Sequence, residues 1–178
     1  ELELISSLDV LTGLANRRNF DTFLDTEWQM GVQYRTPLSL LFLDVANFKA
    51  YNDHYGHQAG DVCLQKIAET LKNCIHRSRD LSARYGGEEF VVLLPNTDEQ
   101  SALQMAEKLR KSIELQNIPH EHSRVGPCIT VSVGVATMMP QKTLTPQRLI
   151  ELADRALYRA KDLGRNRVQV MDEGNLSA

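Results

Sequence analysis

Cysteine is scarce in this chain: three in 178 residues, at positions 63, 74 and 128. An odd count without paired spacing excludes a disulfide framework and a cysteine-based zinc motif. Cys63 and Cys74 fall in helical sequence and are expected to pack as small hydrophobes, reduced, in a cytoplasmic protein. No apolar run approaches the ~20 residues of a membrane-spanning helix, and no signal peptide is visible. Charge of one sign is lacking too. Twenty basic residues against 23 acidic ones leave a net charge of -3, which excludes a general nucleic-acid surface or a membrane-binding face for this domain. Any bound anion must be held by a local cluster of cations. Internal repeats, low-complexity tracts and an interior linker are absent as well.

What is present fits one domain with a real core: 42% of residues are hydrophobic and 24% charged. The chain opens at Glu1-Leu2-Glu3-Leu4-Ile5 with helical character. That opening is expected to be the end of an upstream segment, placing a helix over residues 1–8, a domain over 9–171 and a tail over 172–178. Asn16 is expected to cap a helix carrying Phe20, Phe23, Leu24 and Trp28, broken at Thr36-Pro37. Leu38 to Val45 is almost continuously apolar, as a strand covered on both faces should be. A short helix from Phe48 to Tyr55, a two-glycine loop from Gly56 to Gly60 and a longer helix opened by Asp61 follow. A hairpin turns at Gly86-Gly87. A helix from Asp98, a polar loop from Asn117 to Pro127 and a strand with two unlike faces from Ile129 to Ala136 come next. Thr145-Pro146 starts the last helix, Gly164 ends it, and Arg167 to Met171 reads as a closing strand. Helices fall between strands, but the hairpin interrupts the alternation. The expected fold is therefore α/β (α+β), a mixed central sheet flanked by helices with a palm or ferredoxin-like core.

Two stretches carry chemistry. Leu41-Phe42-Leu43-Asp44-Val45 is a strand ending in an acid. Arg84-Tyr85-Gly86-Gly87-Glu88-Glu89-Phe90 sets a tight-turn dipeptide before two more acids. A hairpin tip beside the end of a central strand can bring Asp44 and Glu88 to one hard cation. Magnesium takes such carboxylates together with substrate phosphates, an arrangement that suits phosphoryl or nucleotidyl transfer. The turn from Val45 into the helix at Phe48 also leaves backbone N–H groups free for an anion. His120-Glu121-His122 is weak as a zinc motif, and a solvated loop is expected there; His57 is assigned a structural role.

Gly86-Gly87-Glu88-Glu89-Phe90 is the GGEEF form of the GGDEF signature, and the chain resembles diguanylate cyclases over residues 9–171. Phe48-Lys49, Asn52-Asp53, Gly56-His57, Gly60-Asp61, Ser132-Val133-Gly134-Val135-Ala136, Ala153-Asp154-Arg155-Ala156-Leu157-Tyr158-Arg159-Ala160-Lys161 and Gly164-Arg165-Asn166 match in order. The resemblance implies synthesis of cyclic di-GMP from two GTP molecules across a homodimer, transient for this chain alone. A coiled-coil or sensory region upstream is implied too. It implies two Mg2+ per active site, with Mn2+ as a substitute, held by Asp44, Glu88 and the Val45 carbonyl. Glu88, Glu89 and Lys49 are the implied catalytic residues; Phe48, Asn52, Asp61, Lys161 and Arg165 are the implied substrate site. Asn52 and Asp61 match the guanine-reading pair, though Asp61 is equally placed to cap the helix it opens. Arg77-Ser78-Arg79-Asp80 matches the product-inhibition site, with Arg77 and Asp80 as contacts and Arg79 either assisting or facing solvent. Ala46 departs from the family pattern, which has a second acid there; the change removes a negative charge near the metal position. A silent module that senses GTP or cyclic di-GMP is the alternative, and a palm-type transferase acting on ATP is a third reading.

Overall fold

The computed structural model describes residues 6–172. Ten elements follow in the order α1 (Arg17–Tyr34), β1 (Leu38–Val45), α2 (Phe48–Tyr55), α3 (His57–Cys74), β2 (Leu81–Gly86), β3 (Glu89–Pro95), α4 (Glu99–Leu115), β4 (Val131–Met138), α5 (Pro146–Asp162) and β5 (Val168–Met171). The expected N-terminal helix and the tail lie mostly outside the described residues. Ser6 to Leu8 are not helical, and Leu8 instead bridges Ala15 in antiparallel fashion.

The strands lie in the order β2-β3-β1-β4-β5. β1 pairs antiparallel with both β3 and β4, whereas β4 and β5 run parallel, so the sheet is mixed as expected. The unbroken hydrophobicity of β1 follows from its central place. Leu41, Leu43 and Val45 pack toward α2, α3 and α4 on one face; Leu38, Leu40 and Phe42 pack toward α1 and α5 on the other. Strand alternation therefore turns Asp44 toward α5.

Local signals set most helix ends. Asn16 accepts from the Asn19 backbone N–H at 2.9 Å, and Asp98 accepts from that of Ser101 at 2.8 Å. The α2–α3 junction differs from expectation. Gly56 alone, at φ 90°, separates the two helices, and α3 begins at His57 rather than at Asp61. Gly60 is helical; it is there for close packing rather than for a loop. Asp61 stands inside α3 and does not cap it.

β4 is buried on both sides. Its odd residues Val131, Val133 and Val135 enter the α3/α4 core, and the small residues between them admit α5 closely. A Cβ on Gly134 would lie 2.2 Å from the Ala153 carbonyl oxygen and 2.3 Å from the Leu157 nitrogen. The three cysteines are buried and free, and burial pushes the Cys63 thiol up to about 12, which fits an inert hydrophobe.

Candidate active site

The hairpin tip is fastened to the end of β1. Asp44 lies opposite Glu89 of β3 and opposite Ser132 of β4, and the Val45 N–H donates to the Glu88 carbonyl at 3.2 Å. Gly87 takes φ 46°, the left-handed conformation the turn requires. Arg84 braces that turn from inside the hairpin: its Nε donates to the Gly87 carbonyl at 2.9 Å, and its Nη1 lies 3.4 Å from Asp9. Burial opposes ionisation of Asp9, yet bonds from Thr12 and the Arg84 charge hold it below the usual carboxylate range. No local pattern announces this brace, because its partners are 75 residues apart.

Asp44 is 13% exposed, and Lys161 from the last turn of α5 reaches its Oδ2 at 2.8 Å. Burial raises the Asp44 carboxyl above its ordinary value; Lys161 and Arg165 pull it down, and the Glu88 charge pushes it up. Glu89 is raised as well, by burial first and then by Asp44, with Asp154 and Glu88 adding and Lys161 opposing. Carboxylates crowded in this way call for a cation.

A raised carboxyl binds more protons folded than unfolded between its ordinary and its raised value. Stability falls as pH rises through that window and stays reduced at neutral pH. Glu89→Gln removes this penalty. The metal-free variant is expected to unfold at a higher temperature than the parent at neutral pH, with the gap closing as pH falls below the ordinary glutamate range. Thermal scans by circular dichroism check this, and a variant that is no more stable at neutral pH contradicts it.

An open pocket of about 560 Å³ brings together Asp44, Val45, Phe48, Lys49, Glu88, Lys161 and Arg165. The N-terminus of α2 faces this region without a side-chain cap, leaving its first N–H groups available. Asp53, His122 and Arg124 line it too; sequence reasoning missed His122 and Arg124 because a polar loop carries no periodicity. Asn52 and Asp61 do not line this pocket. The Asn52 side chain is tucked over Gly60, its Oδ1 buried without a partner among the described residues, while Asp61 is exposed on α3. A larger cavity of about 760 Å³ between α1 and the loop before α5 has no carboxylate in its lining among the described residues.

Arg77 and Asp80 sit at the other end of β2 and β3 from the glycine turn. Arg77 Nε lies 3.3 Å from Asp80 Oδ2, and its Nη2 donates to the Pro95 carbonyl at 2.8 Å. The Asp80 side chain is 2% exposed, and burial raises its carboxyl against the pull of Arg77 and His76. Arg79 does not join them: from a half-exposed position its guanidinium pairs at 2.6 Å with Glu27, a buried acid of α1. His120 departs from the solvated loop expected for its segment. It is fully buried, donating from Nε2 to the Asn47 carbonyl at 2.9 Å with its edge against Tyr51. The aromatic face of α2 draws it in. His57 is exposed at the first residue of α3.

The family model described as diguanylate cyclase, GGDEF domain, matches residues 6–167. The chain belongs to the GGDEF diguanylate cyclase family. Among relatives of this GGDEF domain is diguanylate cyclase A of Treponema denticola, 37% identical over 175 residues, covering 97% of this chain and 46% of that protein. The chain thus spans less than half the length of the curated relatives it matches. The coiled coil and GGDEF domain of DgcB from Caulobacter crescentus, solved in complex with c-di-GMP, superposes with a TM-score of 0.83 at 32% identity. It covers 92% of this chain and 85% of that one. The active GGEEF domain of a diguanylate cyclase from Vibrio cholerae gives a TM-score of 0.76 at 30% identity, covering 89% and 97%.

Proposed function

We propose that this GGDEF domain condenses two GTP molecules into cyclic di-GMP with release of two pyrophosphates. The observation that carries the proposal is the gathering of two hairpin-tied carboxylates and three cations, Lys49, Lys161 and Arg165, around one pocket. A ribose 3′-oxygen forms a bond to an α-phosphorus, the bond to the β-phosphate oxygen breaks, and the leaving pyrophosphate carries off the electron pair. Negative charge grows on phosphate oxygens, and the three cations with the α2 N–H groups lie where they can bind and orient them. The raised carboxyl of Glu89 suits a group that orients the hydroxyl or takes its proton.

Asp44, Glu88 and the Val45 carbonyl form an all-oxygen donor set, and the Lys161 ammonium against Asp44 already marks that spot as one that holds a cation. The set fits Mg2+ or Mn2+, two per site in the expected mechanism. When bound, these ions would neutralise charge on the triphosphate and the leaving group. Lys161 would then be free to turn from Asp44 to phosphate. One domain holds one GTP, so a homodimer with two-fold symmetry would bring two nucleotides face to face. An upstream coiled-coil or sensory region would raise the effective concentration of the two halves. Cyclic di-GMP at Arg77 and Asp80 would inhibit by favouring arrangements that cannot react, and binding there requires Arg77 to open its present pairings.

Incubation with GTP and Mg2+ followed by product chromatography tests the reaction. Cyclic di-GMP is the expected product. Retention of bound GTP without turnover would give the sensor reading instead, and Ala46 is the one residue that favours it.

Guanine reading is proposed for Asn52 and Asp61, whose oxygens can accept from N1–H and the 2-amino group. Gly60 lets Asn52 lie flat: a Cβ there would sit 1.8 Å from Asn52 Oδ1. The amide end can rotate away, so Gly60→Ala should fold while losing the guanine contact. Its KM for GTP is expected to rise about tenfold, with a matching loss of preference over ATP, since one lost polar contact is worth ~1–2 kcal/mol. Unchanged KM and preference would remove Asn52 from base recognition.

A further inference from the structure

We propose that His54, Glu121 and His122 form a binding site for one transition-metal ion of the zinc class, separate from the Asp44–Glu88 carboxylates. His54 lies in the last turn of α2, and the other two residues lie in the loop between α4 and β4. His54 Nε2 is 3.7 Å from Glu121 Oε2, the two imidazole rings are 4.0 Å apart between centroids, and one ligand atom from each residue falls within 4.8 Å of the others. A tetrahedral zinc ion with bonds of about 2.0–2.1 Å needs ligand atoms roughly 3.3 Å apart. His54 and Glu121 are 39% and 76% exposed, so their side chains can rotate through the remaining distance without disturbing the core.

The main chain under this cluster is already fixed by groups other than the ligands. The Glu121 N–H donates to the Tyr55 hydroxyl at 3.0 Å, and the Ser123 N–H donates to the His120 carbonyl at 3.3 Å. Buried His120 ties the same loop to the Asn47 carbonyl. The His54 ring rests edge-on against Tyr55, with centroids 4.5 Å apart. The two ligand-bearing segments therefore stand side by side before any ion arrives. This lowers the ordering cost that an exposed site ordinarily carries.

Donor chemistry selects the ion. Two imidazoles and one carboxylate, with an open position for water, suit zinc and its neighbours; magnesium prefers oxygen donors in octahedral array. Ligation needs neutral imidazoles, so binding weakens on acidification. His122 also lines the nucleotide pocket, together with Asp53 of α2. An ion here would clamp the loop to α2 at the rim of that pocket.

The test titrates Zn2+ into the tag-free chain without nucleotide and with excess Mg2+, using a competing chromophoric chelator. One zinc per chain is expected, with affinity at least tenfold weaker in His54→Ala and in Glu121→Ala and falling at acid pH. Both variants alter exposed side chains, and matching thermal unfolding curves would show that they fold. Co2+ in place of zinc should give a visible spectrum that His54→Ala loses. Displacement of zinc by Mg2+, or equal affinity in parent and variants, would overturn the site. GTP turnover is not part of the readout, so failure here is distinct from failure of the cyclase reading.

Discussion

Glu88→Ala is expected to lower cyclic di-GMP formation by roughly 10³-fold or more, the scale on which loss of a charge-stabilising group at the reacting centre is felt. Glu88 stands at a hairpin tip that the Val45 N–H ties to the strand end, and its charge raises the neighbouring Asp44. Truncation therefore removes a proposed metal ligand and relieves repulsion at the same time. The variant should unfold at the parent's temperature or slightly above it. Loss of product with retained stability separates a functional carboxylate from one that shapes the turn. Turnover within tenfold of the parent, measured by product chromatography, would contradict the assignment.

Gly134→Val is expected to have the largest effect on stability. The atoms a Cβ would strike, the Ala153 oxygen, the Leu157 nitrogen and the Ala156 carbonyl carbon, are all backbone of α5. A side chain could swing aside; a helix backbone cannot move without lifting away from β4. Overpacking of this kind costs about 3 kcal/mol, and the thermal midpoint should fall by about 10 °C in a domain of this size. Turnover should fall as well, since α5 carries Lys161 to Asp44. Gly126→Ala is the control, because among the described residues nothing lies within 4 Å of its added Cβ. A Gly134→Val midpoint within about 2 °C of the parent would show that α5 does not rest on the β4 backbone.

Elements with local signals were legible in the chain. The Asn16 and Asp98 caps, Pro146 at the start of α5 and the apolar run of β1 each fix an element from a few neighbouring residues. The start of α3 was not legible. Two glycines looked alike in sequence, but Gly56 supplies a positive φ while Gly60 supplies an absent Cβ under Asn52. The burial of His120 is illegible for a related reason: a histidine in a polar loop gives no sign that Tyr51 and Asn47 will bury it. The Glu27–Arg79 and Asp9–Arg84 pairs join residues more than fifty apart and have no trace in local pattern.

At the site, the carboxylates and the anion-facing turn could be read from strand ends and the glycine pair. The phosphate and guanine roles proposed for Lys49, Lys161, Arg165, Asn52 and Asp61 rest on family resemblance. Periodicity marks Lys161 only as an exposed helix cation, and only the folded chain brings it 2.8 Å from Asp44.

The most direct measurement is a crystal structure of the chain with Mg2+ and a non-hydrolysable GTP analogue. The account predicts a divalent ion ligated by both Asp44 and Glu88, the triphosphate over the start of α2, and Lys161 turned from Asp44 to a phosphate oxygen. A triphosphate bound elsewhere, with Lys161 still paired to Asp44 and no ion between the two carboxylates, would contradict it.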